Sequence, residues 1–220
     1  MSKTTSKQVL IVEGKDGFVI SNLMMKRKIK PPIGYEERIG DFFINAGSFS
    51  QAIDAFDIEL DNSDYTNIGL IIDADDKGPQ ARYQTIKNII EKRFDVSLPD
   101  ELSPNGFVFE EKNVPTIGLW VMPNNVRNGY LEHFVAELIE EDSSDIWQFS
   151  NQTVDEFKTN SFCDIPEVRT QKARVHAFLA LQKKPGLPMG LGISANYIGS
   201  KSKSAIIFEE WFKQTFVLTK

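Results

Sequence analysis

The sequence predicts an α/β protein with a mostly parallel sheet of about four strands, flanked by helices and followed by a C-terminal helical extension. Three observations predict this class. Short apolar runs typical of buried strands alternate with segments of helical apolar spacing through the first 140 residues. Two of these apolar runs end abruptly in acidic residues. From about residue 145 onward the apolar spacing is helical.

The predicted elements follow one another in a strand-then-helix order. Strands are expected at 8–12, 42–44, 68–72 and 117–122, and the loop over 95–113 is compatible with a short strand at 107–109. Helices are expected at 16–28, after a capping Ser48, at 79–94 and at 131–139. This order predicts parallel strands with helices on both faces of the sheet.

The last third of the chain has a different character. Proline and glycine between Pro185 and Gly192 predict a loop, and a final helix is expected from Ala205 to Phe216. We therefore expect an α/β core over 1–142 and a helical extension over 143–220 that packs on it. Since no repeat or linker separates them, the two parts are expected to form one structural unit.

Composition excludes several classes of protein. A single cysteine, Cys163, excludes an internal disulfide, and with only two histidines it nearly excludes a zinc site of nitrogen and sulfur ligands. No apolar run approaches the roughly 20 residues that a membrane-spanning helix needs, and the polar stretch Met1–Lys7 is not a signal peptide. We expect a cytoplasmic protein that does not enter a membrane.

Acidic residues follow two predicted strands. Glu13 ends the first strand, and Asp73 and Asp75 end the third. If these strands are parallel neighbours, their carboxyl ends meet at the edge where α/β sheets bind ligands. Side chains two apart at a strand end point roughly the same way, so both aspartates are expected to face one ion. Like charges about 4 Å apart repel by roughly 4 kcal/mol at an effective dielectric near 20, and a divalent cation removes that repulsion.

This set of oxygen donors selects a hard cation. A site with few carboxylates suits Mg²⁺ or Mn²⁺, which shares its coordination shell with substrate phosphates. A phosphate ester is therefore the expected substrate. Glu132 follows the fourth strand and is either a further ligand or an ordinary acid in the first turn of a helix. For Glu13 the plainer interpretation is an acid that stabilises the next helix dipole.

The candidate substrate-binding cations are Lys15, Lys201 and Lys203. Lys15 follows the first strand, and the other two lie in a Ser/Gly/Lys stretch before the last helix. Solvated lysines in turns are an equally good interpretation of each. The net charge of −6 argues against a protein that binds nucleic acid nonspecifically by itself.

Taken together, the motifs resemble the Toprim fold. Val12-Glu13-Gly14 after one strand and Asp73-x-Asp75-x-x-Gly78 after another resemble its two signature motifs. Nearly the whole chain is similar to small standalone bacterial Toprim-related proteins of unknown function. They share the Val12–Asp16 start, the Trp120–Pro123 strand, and a tail from Lys184 to Trp211. Gly17 departs from these relatives, which often carry a further acid there.

The resemblance implies a fold, an activity and partners. It implies a Toprim-like sheet, Mg²⁺ held by Asp73 and Asp75, and general acid–base catalysis by Glu13. It further implies a nuclease-like hydrolase acting on DNA or RNA, similar to the overcoming-lysogenization-defect nucleases, as a defence effector working with an ATPase.

Two other interpretations remain open. The acidic net charge also fits a non-catalytic Toprim module that binds nucleic acid or a nucleotide, or docks on a partner. Asp73-Ala74-Asp75 resembles a motif of haloacid-dehalogenase-like phosphatases as well. That family needs a nucleophilic aspartate on an early strand, where this chain carries Glu13, so the phosphatase interpretation ranks last.

Overall fold

The computed structural model describes residues 7–14, 17–140, 145–160 and 162–220. Its strands are β1 (Lys7–Glu13), β2 (Phe43–Ala46), β3 (Tyr65–Asp73), β4 (Phe107–Phe109) and β5 (Thr116–Met122). Its helices are α1 (Gly17–Lys26), α2 (Phe49–Leu60), α3 (Pro79–Phe94), α4 (Leu131–Glu140), α5 (Asp145–Lys158), α6 (Thr170–Ala180), α7 (Met189–Ser194) and α8 (Lys203–Thr215). Short 3₁₀ turns span Ile39–Phe42 and Glu167–Arg169.

The sheet confirms the predicted α/β class. Its five strands lie in the order β2-β1-β3-β5-β4. All neighbouring pairs are parallel except β4 and β5, which are antiparallel. The segment that was compatible with a short strand is therefore an edge strand. Parallel sheets are covered on both faces, which explains why β1, β3 and β5 are nearly continuous apolar runs.

Each face of the sheet is covered by its own group of helices. On one face α2 and α3 pack on β1, β3 and β5 through a core that includes Phe56, Tyr83 and Ile86. On the other face α1, α4 and the C-terminal helices form a second core. Helices on both faces leave the carboxyl ends of the strands as the accessible edge of the sheet.

The C-terminal helices share their core with the sheet. Trp211 of α8 is fully buried, lies 5.7 Å from the ring of Trp120 on β5, and donates a hydrogen bond from Nε1 to the Phe107 carbonyl oxygen on β4. Phe208 packs on Trp120 at 5.1 Å between ring centroids. Residues 203–216 therefore cover the sheet directly.

A glycine notch seats the end of α8. Gly69 on β3 and Gly118 on β5 are register partners in adjacent strands. A Cβ atom added to Gly69 would lie 2.4 Å from the Phe216 ring, and one added to Gly118 would lie 2.2 Å from Thr215 Oγ1. The two absent side chains leave the space that Thr215 and Phe216 fill.

One predicted loop is wrong in part. Helix α7 forms within the Pro/Gly-rich stretch, because Pro188 precedes it as the N-cap and its two glycines are buried against other helices. A Cβ on Gly190 would lie 2.8 Å from Phe18, and one on Gly192 would lie 2.8 Å from Leu179. These glycines serve close helix packing instead of chain reversal.

The capping prediction for α2 is confirmed, since Ser48 Oγ accepts from the Gln51 backbone N–H. The second strand begins one residue later than expected, because Phe42 ends a 3₁₀ turn. None of the helices in the described ranges combines the length and the apolar character that crossing a bilayer requires.

Candidate active site

A cavity of about 610 Å³ opens at the carboxyl ends of the strands. Its lining carries two sets of charges. We call Glu13, Asp73, Asp75 and Glu132 the acidic wall, and Arg169 and Lys172 the basic wall. The first set comes from the ends of β1 and β3 and the start of α4, and the second from the segment that begins α6. The structure therefore brings together all four acids that the sequence singled out.

Glu13 is the last residue of β1 and is held by backbone donors. Its Oε2 accepts a hydrogen bond from the Asp73 N–H at 3.0 Å, and the backbone of Phe49, the first residue of α2, is a further partner. Burial raises the pKa of this carboxyl, and the nearby Asp75 charge adds to the rise, although the hydrogen bond from Asp73 and the charge of Arg82 oppose it. Glu13 thus links the end of β1 to the end of β3 and to α2.

Asp73 ends β3 and reaches the helix that follows β5. Its Oδ1 accepts a hydrogen bond from the Leu131 N–H, the first residue of α4, at 3.2 Å. A carboxylate at a helix N-terminus is stabilised by the helix dipole. This bond also places the first turn of α4, and with it Glu132, beside the end of β3.

Asp75 faces the cavity for a reason that the sequence analysis did not give. It lies beyond β3 in the left-handed region, with φ at 47°, and its N–H bonds to the Gly129 carbonyl oxygen at 2.9 Å. Strand alternation therefore does not orient it. Instead, the turn directs its Oδ2 to Arg82 Nη2, at 2.6 Å.

Arg82 contacts both aspartates. Besides Asp75, its Nε donates to the Asp73 carbonyl oxygen at 3.1 Å, and its guanidinium lies 3.8 Å from the centroid of the Phe49 ring. The side chain is only 12% exposed. Because guanidinium bonds to carboxylates in a fixed geometry, Arg82 restrains the direction of Asp75.

The structure confirms one of the two interpretations of Glu132, an acid in the first turn of a helix, whereas its role as a metal ligand stays a prediction. It lies in the first turn of α4 and also lines the cavity. The carboxylate is buried, and its Oε1 accepts a hydrogen bond from Lys172 Nζ at 2.7 Å. This ion pair is the point at which the acidic and basic walls meet.

Tyr130 lies between the walls. Burial raises the pKa of its phenol, the charges of Glu132, Asp73 and Asp75 raise it further, and the charge of Arg169 lowers it. Its backbone N–H bonds to His133 Nδ1 at 3.3 Å, and burial lowers the pKa of that imidazole. The neutral histidine thereby supports the loop whose Gly129 carbonyl holds Asp75.

The acids of this wall have the chemistry to bind a divalent cation, although their side chains are not arranged around one ion. No group of three or more His, Cys, Asp or Glu side chains in the described part of the chain stands close enough together to hold a metal ion. The acidic wall nevertheless offers only oxygen donors, which suit Mg²⁺ or Mn²⁺. It also includes a buried carboxyl whose charged form is disfavoured beside Asp75. Side-chain rotation is needed to bring three carboxylates to one ion.

The predicted substrate-binding lysines lie elsewhere or outside the described residues. Lys15 and its neighbour Asp16 are not among the described residues. Lys201 and Lys203 are exposed at the start of α8 and do not line the cavity. They adjoin the basic stretch after α1, since Arg27 bonds to the Ser200 carbonyl oxygen.

Sequence reasoning missed the basic wall and Arg82. Arg169 and Lys172 are three residues apart, a spacing that places side chains on one side of a helical segment. Nothing in that spacing connects them to β1 and β3, which end far earlier in the chain, at Glu13 and Asp73. Arg82 lies within a predicted helix and carries no local signal for its contact with Asp75.

Residues 7–217 match the model of the family DUF3226, described as a protein of unknown function. No curated protein and no solved structure was found to match the sequence.

Proposed function

Because the chain belongs to the DUF3226 family, whose function is unknown, we propose an activity from the site alone: metal-dependent hydrolysis of phosphodiester bonds in DNA or RNA. One observation carries this proposal. Glu13, Asp73 and Asp75, from the carboxyl ends of two neighbouring parallel strands, line one open cavity. The resemblance of their motifs to the Toprim signatures supports the same activity.

The proposed roles follow from position. Asp73 and Asp75 would hold Mg²⁺ or Mn²⁺, with Glu13 and Glu132 as further candidate ligands. The bound ion would supply charge stabilisation at a phosphate oxygen. Arg82 pairs with Asp75 and restrains it, and Lys172 neutralises Glu132. Glu13 either transfers a proton or helps to place the ion.

The surroundings of the site bear on its partners. With a net charge of −6, the chain has little positive surface to attract an extended nucleic acid by itself. We propose that an ATPase encoded nearby supplies that surface, in a cytoplasmic defence complex. This part of the proposal rests on the resemblance to Toprim-type nucleases.

The test is a cleavage assay with matched acid-to-amide variants. Labelled DNA and RNA are incubated with Mg²⁺ or Mn²⁺, with and without the neighbouring ATPase. Glu13→Gln and Asp73→Asn are expected to lose activity by roughly 10²-fold or more, because each removes a group that acts on the reacting phosphate. Asp76→Asn is the control, since Asp76 is exposed and does not line the cavity. Undiminished cleavage by Asp73→Asn contradicts the proposal.

A second candidate is a non-catalytic module that binds nucleic acid or a nucleotide. It is favoured by the ion pairs that already engage Asp75 and Glu132. Binding of nucleic acid without cleavage, under every metal and partner condition, supports this candidate and excludes the nuclease.

A further inference from the structure

We propose that the basic wall, Arg169 with Lys172, is the subsite that binds a phosphate group of the substrate. This deepens the proposed function, because it assigns the anion-binding side of the same cavity. It is a different location from the one that the sequence suggested, since Lys201 and Lys203 do not line the cavity.

Arg169 differs from the other arginines of the chain. Each of the others forms an ion pair with an acidic side chain: Arg27 with Glu209, Arg38 with Asp41, Arg82 with Asp75, Arg93 with Asp57 and Asp61, Arg127 with Glu137, and Arg174 with Asp155. Arg169 has no side-chain hydrogen bond or ion pair to any residue in the described ranges. Its guanidinium therefore has donors that no residue in the described ranges engages.

The position of Arg169 is fixed although its side chain is exposed. It ends the 3₁₀ turn that leads into α6, and its N–H bonds to the Pro166 carbonyl oxygen at 2.9 Å. Its charge acts on the Tyr130 phenol, which also senses Asp73 and Asp75. Arg169 and the acidic wall line the same cavity.

Lys172 adds a second cation, three residues further along. Its ammonium already pairs with Glu132, so it neutralises the acid closest to the basic wall. A phosphate approaching Arg169 then meets two cations and no unpaired charge from Glu132. Asp73 and Asp75 remain the proposed ligands of the metal ion.

Guanidinium is the side chain best matched to this ligand. Its planar fork binds two phosphate oxygens at once, whereas an ammonium acts as a point charge. The fork is directional, so Arg169→Lys is expected to retain only part of the affinity. Arg169 lines a cavity that also carries acids and has no side-chain partner in the described part of the chain, which fits a ligand that carries both a phosphate and a metal ion.

The probe for this subsite is the dinucleotide TpT, which carries one phosphodiester and no extended backbone. Its binding is measured by calorimetry in Mg²⁺, with the full chain. Arg169→Ala is expected to weaken binding about tenfold, because a charge-assisted hydrogen-bonded pair is lost, and Arg169→Lys by less. The matched control is Arg38→Ala, which removes an exposed arginine that does not line the cavity.

The outcomes separate this inference from the proposed activity. Equal TpT affinity in the parent and in Arg169→Ala overturns the phosphate subsite, even if Asp73-dependent cleavage is observed. So does an absence of TpT binding to the parent. Loss of affinity in Arg169→Ala without cleavage under any condition supports the subsite and refutes the nuclease.

Discussion

The acidic and basic walls of the cavity are built in different ways. Glu13 and Asp73 end two strands that are neighbours in one sheet, so local sequence and parallel topology are enough to bring these two acids together. The cations come from the far end of the chain and reach the cavity only because the C-terminal helices pack on the sheet. A site with both charges thus depends on one wall that is locally encoded and another that is placed by tertiary packing.

The C-terminal helices and the sheet are expected to unfold as one cooperative unit. Trp211→Ala tests this expectation and carries the largest expected effect. Trp211 is fully buried against Trp120 and Phe208, and its loss is expected to lower the free energy of unfolding by about 3–5 kcal/mol. Urea unfolding followed by circular dichroism is the measurement.

Ile206→Ala, on the exposed side of the same helix, is the control and should lower the free energy of unfolding by about 0.5 kcal/mol or less. Two separate transitions in the parent would show that the walls belong to independent units.

Metal binding sharpens the distinction between the walls. Mn²⁺ at a hundredfold excess over its dissociation constant is expected to stabilise the parent by about 2.7 kcal/mol. The double variant Asp73→Asn with Asp75→Asn should lose this stabilisation, because the proposed ligands are gone, while Arg169→Ala should retain it. Melting temperature against Mn²⁺ concentration gives the answer. Equal stabilisation of the parent and the double variant would show that Asp73 and Asp75 do not bind the metal ion.

An ion pair at the junction between α1 and α8 gives a pH-dependent test of their packing. Burial alone would raise the pKa of Glu209, but hydrogen bonds from Lys213 and Arg27 outweigh it and lower the pKa below 4.5. The charged carboxylate therefore stabilises the fold above pH 4.5, and this contribution is lost as the pH falls through the lower, folded-state pKa. Glu209→Gln should cost about 2 kcal/mol at pH 7 and less at pH 3. The measurement is chemical denaturation at both pH values. An equal cost at the two pH values would mean that the ionised carboxylate does not stabilise this junction.

The smallest effect is expected from cations outside the cavity. Replacing Lys201 and Lys203 with alanine should weaken nucleic-acid binding equally for all sequences. It should also reduce the slope of log affinity against log salt by about 2. Filter binding over a range of salt concentrations measures both quantities. A changed sequence preference with an unchanged slope would contradict phosphate contact by these lysines.

The sequence predicts one side of the site better than the other, for physical reasons. Continuous apolar runs locate β1, β3 and β5, and their parallel order places Glu13 and Asp73 at one edge. The direction of Asp75 depends on a left-handed turn and on Arg82. The spacing of apolar residues in the sequence indicates neither the turn nor the contact with Arg82.

The same limit applies to the C-terminal third. Glycine and proline normally indicate loops, yet the two glycines of α7 are selected by close packing on Phe18 and Leu179. Arg169 stands out because none of the residues that the structure describes pairs with it, and this is visible only when the other arginines have been placed. Both features depend on contacts between residues far apart in the chain.

The glycine notch has a consequence for the order in which the protein folds. Gly69 and Gly118 leave part of the sheet surface without side chains until Thr215 and Phe216 arrive. On a ribosome, β3 and β5 emerge long before α8 is made, so this face stays open during most of synthesis. The contacts that close it are long-range, and such contacts form slowly. Until α8 is complete, the nascent chain exposes apolar strand surface that a chaperone or a neighbouring chain can bind.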